Sequence, residues 1–167
     1  MALDTLCLMQ EIEVKILEVN HKRIREKLTR LGAAKVFDAE ILTLFLDTQD
    51  NLIHKRRDVL RLRKEKDTAE LTFKKVQANK TEKVAEEFTV KFSDLEATLK
   101  ILQALGFFPT QRMEKHRTSY TLDNVRFDID QYSGEFGFIP EFLEIEGPVE
   151  DIKKYAEALG YQEKDCL

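Results

Sequence analysis

The chain has no run of apolar residues approaching the length of a bilayer span, so a transmembrane helix is not expected. It has only two cysteines, Cys7 and Cys166, in no paired metal-binding spacing, and a disulfide scaffold would use more. A reducing compartment fits that usage. The N-terminus lacks a basic segment followed by an apolar one, so the expectation is a cytoplasmic protein without a secretory leader. An excess of positive charge is also missing: the formal net charge is −4. That is a poor balance for a protein whose main task is gripping a nucleic acid backbone, although it leaves room for a local basic pocket. Low-complexity tracts and long flexible linkers are absent too, so a single domain spanning 1–167 is expected.

What the chain does have is charge of both signs. Of its 167 residues, 43% are hydrophobic, enough for a core. Charged residues make up 35%, well above the usual proportion of about a quarter. That surplus is ordered in sequence. In "EIEVKI", Glu11, Glu13 and Lys15 alternate with Ile12, Val14 and Ile16, a strand signal of period two. The same alternation recurs. Arg61 and Arg63 share a face in "LRLRK", and Lys74 opposes Leu71 and Phe73 in "LTFKK". Lys115 and Arg117 share a face in "MEKHRTSY". Arg126, Asp128 and Asp130 oppose Val125, Phe127 and Ile129, and Glu144 and Glu146 oppose Leu143 and Ile145.

Helical spacing separates these strands at three places. Ile24, Leu28 and Leu31 recur ahead of Gly32. "SDLEATLKILQALGF" carries a capping box read as Ser93 and Glu96, with Gly106 at its end. Pro148 opens a last helix with Ile152, Tyr155, Ala156 and Leu159 on one face. The helices are too few for a parallel βαβ sheet. Hairpin-linked strands, including a polar turn at Glu65–Thr68, imply an α+β fold. We expect an eight-stranded antiparallel closed β-barrel with helices packed outside.

The helices need apolar surface to rest on. If they cover the apolar strand faces, the charged faces line the inside. Such a lining is costly unless the charges pair, bind ions or meet water. Arginine forks and lysines suit a polyanion, and carboxylates suit Mg²⁺ or Mn²⁺.

These residues resemble the CYTH superfamily, the triphosphate tunnel metalloenzymes. "EIEVK" matches its ExExK signature, and "LRLRK", "LTFKK", "EKHR" and "FLEIEG" follow in the expected order, from about Glu11 to Gly147. The resemblance implies a triphosphate tunnel and a divalent metal, Mg²⁺ or Mn²⁺. It implies metal carboxylates at Glu11, Glu13, Glu144 and Glu146, and phosphate contacts at Lys15, Arg61, Arg63, Lys74, Lys115 and Arg117. Asp128 and Asp130 match an acidic pair that serves the metal or orients a basic neighbour; we place Asp130 with the metal set and Asp128 with the catalytic set. Glu87 falls where many members carry an ExE pair, but the second position here is Thr89.

Members include class IV adenylate cyclases and triphosphatases acting on thiamine triphosphate, inorganic tripolyphosphate or RNA. The expected activity is metal-dependent hydrolysis of a triphosphate such as ATP, thiamine triphosphate or tripolyphosphate. Cyclisation of ATP to cyclic AMP and pyrophosphate is the alternative. The stretch between Phe127 and Gly147 is longer than in compact cyclases, which counts against that alternative. A non-catalytic polyphosphate-binding module is a third reading, disfavoured because a pure polyanion binder gains nothing from acidic walls. Nucleic acid ranks last among partners, and a homodimer is compatible with the resemblance. His54–Asp58 reads as a solvated turn, and His21 and His116 as structural or surface residues. Ser119 and Tyr120 form no nucleophilic constellation.

Overall fold

The computed structural model describes residues 13–78 and 83–165. Eight strands form one sheet: β1 (Glu13–Ile16), β2 (Ala34–Asp47), β3 (Val59–Glu65), β4 (Thr68–Ala78), β5 (Lys83–Phe92), β6 (Phe108–Leu122), β7 (Val125–Ser133) and β8 (Phe142–Glu146). Four helices accompany them: α1 (His21–Arg30), α2 (Leu52–Lys55), α3 (Leu95–Ala104) and α4 (Val149–Ala158). The hydrogen-bonded order is β1-β8-β7-β6-β2-β3-β4-β5, with β1 and β5 at its two ends. The antiparallel α+β fold expected from the alternating rows is therefore the observed one. Among the described residues, no helix is long and apolar enough to cross a membrane.

The contacts fall into two compact units. The first comprises residues up to Asp38, Arg117–Gln131, and Pro140 onward; the second comprises Ala39–His116 and Tyr132–Ile139.

In the first unit, Asn20 caps α1 by accepting the Arg23 backbone N–H at 3.0 Å. Ile24 and Leu28 then point into a core with Ile16 of β1, Val125, Phe127 and Ile129 of β7, and Leu143 and Ile145 of β8. α4 adds Ile152, Tyr155 and Ala156. Phe127 is fully buried and meets Tyr155 edge to face, with ring centroids 5.6 Å apart. Burying each large side chain here contributes roughly 1.5–3 kcal/mol. The odd-numbered residues of β7 and β8 thus face the helices, so the even-numbered ones, all polar or charged from Arg126 to Asp130, face away. Gly147 ends β8 where the Asn124 carbonyl oxygen would lie 2.9 Å from any Cβ, so the chain can pass only without a side chain.

In the second unit, Leu44 and Leu46 of β2, Leu60 and Leu62 of β3 and Leu102 of α3 form the core, with Leu71 and Phe73 of β4 packed against it. Again the helix lies on the apolar strand face, and Arg61, Arg63 and Lys74 alternate to the other side. The cap of α3 differs from expectation. Asp94, not Ser93, is the capping residue, and its side chain accepts the Ala97 N–H at 2.9 Å. Both residues are good caps, and the helix starts one position later than the Ser–Glu spacing implied. The stretch from Leu52 to Lys55, part of which read as a solvated turn, is one helical turn. It is held by the buried Asp47 carboxylate, which accepts the N–H groups of Thr48 at 2.7 Å and of Ile53 and His54 at 2.9 Å. Burial works against the Asp47 charge, but these backbone donors outweigh it and hold its pKa below the ordinary value.

Candidate functional site

The charged row of the first unit is arranged by strand register. Lys15 of β1 lies opposite Glu144 of β8, which lies opposite Asp128 of β7. One step along, Glu13 opposes Glu146, which opposes Arg126. Like charges directly opposed on neighbouring strands destabilise a sheet unless a cation serves both. Lys15 Nζ sits 3.2 Å from Glu144 and 3.3 Å from Glu13. Its partial burial lowers its pKa, but Glu144 and then Glu13 raise it more, so the net shift is upward.

Arg117 of β6 is the hub of this row. Its Nε donates to Asp130 Oδ1 at 2.6 Å, Nη1 to Asp128 Oδ2 at 2.5 Å, and Nη2 to Glu144 Oε2 at 2.6 Å and also to Asp130 Oδ2. The guanidinium is mostly buried, Asp128 nearly so, and Asp130 wholly. Burial disfavours the Arg117 charge; the Asp130 hydrogen bonds and the charges of Asp130, Asp128 and Glu144 overcome that and raise its pKa well above the usual arginine value. Arg126 donates to both oxygens of Asp128 at 2.9 and 3.1 Å and to Ser119 Oγ at 3.1 Å. Sequence alternation had put Arg126 on this face without assigning it to the site.

Among the described residues, the row holds three cations, Lys15, Arg117 and Arg126, against five carboxylates, Glu13, Asp128, Asp130, Glu144 and Glu146. Oxygen donors in excess of their counter-ions fit a hard divalent cation. Glu13 and Glu146, directly opposed across β1 and β8, are the pair that fits best, with Glu144 beside them. Among the described residues, no ready-made group of three metal-ligating side chains converges. Glu11 lies outside the described residues.

The second unit carries the basic row. Arg61 faces Phe45 of β2 on one side and Thr72 of β4 on the other, and Thr72 faces Thr89 of β5. Arg63 faces Thr43 and Glu70. Lys74 faces Glu87, and their ion pair is 2.7 Å long. Arg61 Nη2 is 4.0 Å from Glu87, and Arg63 Nη1 is 3.8 Å from Glu65. Burial lowers the Arg61 pKa, and the neighbouring Arg63 charge lowers it further, against weaker support from Glu87. The Nε atoms of both arginines are buried without a hydrogen-bond partner. A buried, unpaired guanidinium N–H costs free energy, on the order of 1–3 kcal/mol, until an acceptor arrives. Where the ExE pair would place a second acid, Thr89 Oγ1 instead lies 3.1 Å from the buried Thr72 Oγ1 and donates to Glu87 at 3.3 Å. Lys115 is buried, with Nζ 5.6 Å from the centre of the Tyr132 ring.

Of the residues singled out from sequence, the structure gathers Lys15, Glu13, Arg117, Asp128, Asp130, Glu144 and Glu146 in one row. Arg61, Arg63 and Lys74 belong to the other, and Lys115 to the same unit as these. The expected phosphate contact at Arg117 meets a guanidinium already committed to three carboxylates. His21, at the start of α1, pairs with Glu141 at 2.6 Å, and His116 of β6 pairs with Glu40 of β2 at 2.9 Å.

Comparison with known proteins bears on the family and the fold. A Methanocaldococcus jannaschii protein named "Putative adenylate cyclase" is 28% identical over 149 residues, covering 87% of this chain and 81% of its own. A solved Pyrococcus horikoshii structure superposes with a TM-score of 0.74 at 26% identity, covering 95% of this chain and 94% of that one. A Hippeastrum structure, reported to show a dominant triphosphatase activity for a protein named as an adenylyl cyclase, has the same fold with a TM-score of 0.63 at 13% identity, covering 90% and 88%. The model of the CYTH domain family matches residues 9–165, nearly the whole sequence, and the chain belongs to that family.

Proposed function

We propose that this protein is a divalent-metal-dependent enzyme that hydrolyses a triphosphate. The observation that carries the reading is the pair of buried, unpartnered Nε atoms on Arg61 and Arg63. Two like charges held side by side at partial burial are stabilised by an anion with several acceptor oxygens, and the phosphates of a triphosphate provide them. Lys74 adds a point charge, and Lys115 a second. Glu13 and Glu146 would supply carboxylate oxygens to Mg²⁺ or Mn²⁺, with water and phosphate oxygens completing the shell and Glu144 engaged by Arg117 and Lys15; the metal when bound would neutralise developing negative charge on the phosphoryl group. Asp128 and Asp130 act through Arg117: their ion pairs fix its position, and Arg117 in turn fixes Glu144. Water attacks the terminal phosphorus, the bond from that phosphorus to the bridging oxygen breaks with its electron pair staying on the diphosphate leaving group, and orthophosphate forms as the water's proton is released to solvent. Fixed cations near the departing oxygens supply most of the rate in such a site.

A second reading is cyclisation of ATP, favoured by the name of the M. jannaschii relative. There the ribose 3′ oxygen attacks the α-phosphorus and pyrophosphate leaves. One panel separates the two. The protein is incubated with Mg²⁺ or Mn²⁺ and ATP, thiamine triphosphate or tripolyphosphate, and the products are resolved. Orthophosphate without cyclic AMP is expected; pyrophosphate with cyclic AMP would replace hydrolysis by cyclisation, and no turnover of any substrate would leave only a binding module.

A further inference from the structure

The second unit contains a cavity of about 680 Å³ that the phosphate-binding row does not use. Its walls come from three places: Asp47, Asn51 and His54 at the end of β2 and in α2; Thr110, Gln111 and Arg112 of β6; and Glu135 and Phe136 between β7 and β8. That volume lies within the range of about 300–1,000 Å³ that accepts small organic ligands.

Its position follows from β2. Leu42, Leu44 and Leu46 belong to the apolar cluster under α3, so Thr43, Phe45 and Asp47 alternate to the face that carries the arginines. Thr43 is the cross-strand partner of Arg63, and Phe45 that of Arg61. Moving along β2, the chain passes Arg63, then Arg61, then reaches the cavity at Asp47, about 7 Å past Phe45 at the usual strand rise. Thr110 Oγ1 donates to the Phe45 carbonyl at 3.3 Å, tying the β6 wall to the same point. The cavity therefore begins where the basic row ends.

Two of its charged groups are engaged, and the exposed Glu135 carboxylate at its wall repels a further anion. Asp47 accepts three backbone N–H groups, and Arg112 is bonded to Glu114. Gln111 and Asn51 remain as amides able both to donate and to accept. Phe136 supplies a half-buried ring, with Phe138 6.2 Å away, centroid to centroid. An aromatic face beside neutral amides suits a flat nitrogen heterocycle and offers little to a further phosphate.

We infer that the substrate is an organic triphosphate whose heterocycle sits in this cavity, with its terminal phosphate at the Arg63 end of the row. The inference rests on the proposed triphosphate activity and narrows it: inorganic tripolyphosphate would leave the cavity unused. Phe136→Ala and Gln111→Ala are compared with the wild-type chain by calorimetric titration with ATP, thiamine triphosphate and tripolyphosphate. Phe136→Leu, which keeps apolar volume without the ring, is measured alongside, and thermal melting verifies the fold of each variant. Loss of stacking is expected to weaken one or both organic triphosphates about tenfold, with tripolyphosphate unchanged within twofold. ATP alone or thiamine triphosphate alone responding identifies the heterocycle. Equal effects on all three ligands, or none on the organic ones, overturn the inference while leaving the triphosphate reading intact. Failure of the wild-type chain to bind any of the three overturns both.

Discussion

Replacing Arg117 by methionine keeps an unbranched, flexible apolar stem, shortens the side chain, and removes its charge and its fork. In the folded protein that leaves Asp128, Asp130 and Glu144 converging on an empty centre, two of them nearly or wholly buried. Removing one partner of a buried ion pair costs about 3–5 kcal/mol, because the remaining charge stays desolvated. For a chain of 167 residues, each kcal/mol is worth about 2–4 °C in Tm, so a fall of roughly 10 °C near pH 8 is expected. The pH dependence gives a sharper test. Crowded carboxylates bind protons more readily when folded than when unfolded, so the variant gains stability as pH falls toward about 4–5 and loses it as pH rises. Wild-type Arg117, whose pKa is raised, keeps its charge throughout that range. Thermal melts of both proteins between pH 4.5 and 8.5 should converge at the acid end. A deficit under about 1 kcal/mol at pH 8, or one that stays constant with pH, would show that Arg117 is not the counter-ion the three acids depend on.

Glu87→Gln removes the one carboxylate facing Lys74 and lying near Arg61. The pair is partly exposed, so melting should change little, whereas metal-free affinity for tripolyphosphate should rise about threefold or more, because an internal competitor for the basic row is gone; weaker binding by titration would contradict this. Asp47→Asn should destabilise the chain by about 2 kcal/mol at neutral pH through its weakened acceptance of three N–H groups. The Asp47 pKa lies below the ordinary 3.8. Its contribution is therefore complete above that value and lost as pH falls through the lower, folded one, so the gap between variant and wild type in denaturant melts should be full at pH 7 and shrink only in acid below the ordinary value.

Much of this was legible in the sequence because a strand has period two. The alternation of Arg61 with Leu62, or of Asp128 with Ile129, determines which residues share a face. The direction of each face depended on where the helices pack, and the amphipathic stripes at Ile24–Leu28 and Ile152–Tyr155 made that readable. Pairing across strands was not readable. Arg117 resembled a phosphate ligand because nothing in its own strand reveals three acids on β7 and β8. Likewise, only the β4–β5 register puts Glu87 against Lys74 and Thr89 against Thr72. The cap at Asp94 illustrates a local ambiguity: Ser93 and Asp94 are both good caps, and the carboxylate of Asp94 is the one that accepts the Ala97 N–H. The cavity beside Phe136 was invisible for a simpler reason, since its walls come from stretches more than 20 residues apart.

The hydroxyls of Thr72 and Thr89 have one more consequence. They stand where acidic neighbours would gain and lose protons, and alcohols do neither across the physiological range. This pair of hydroxyls thus adds no charge of its own beside Arg61, where the nearest carboxylate is that of Glu87 at 4.0 Å. Any pH optimum of the reaction must then originate in the substrate's own terminal group or in ionisable side chains other than this pair.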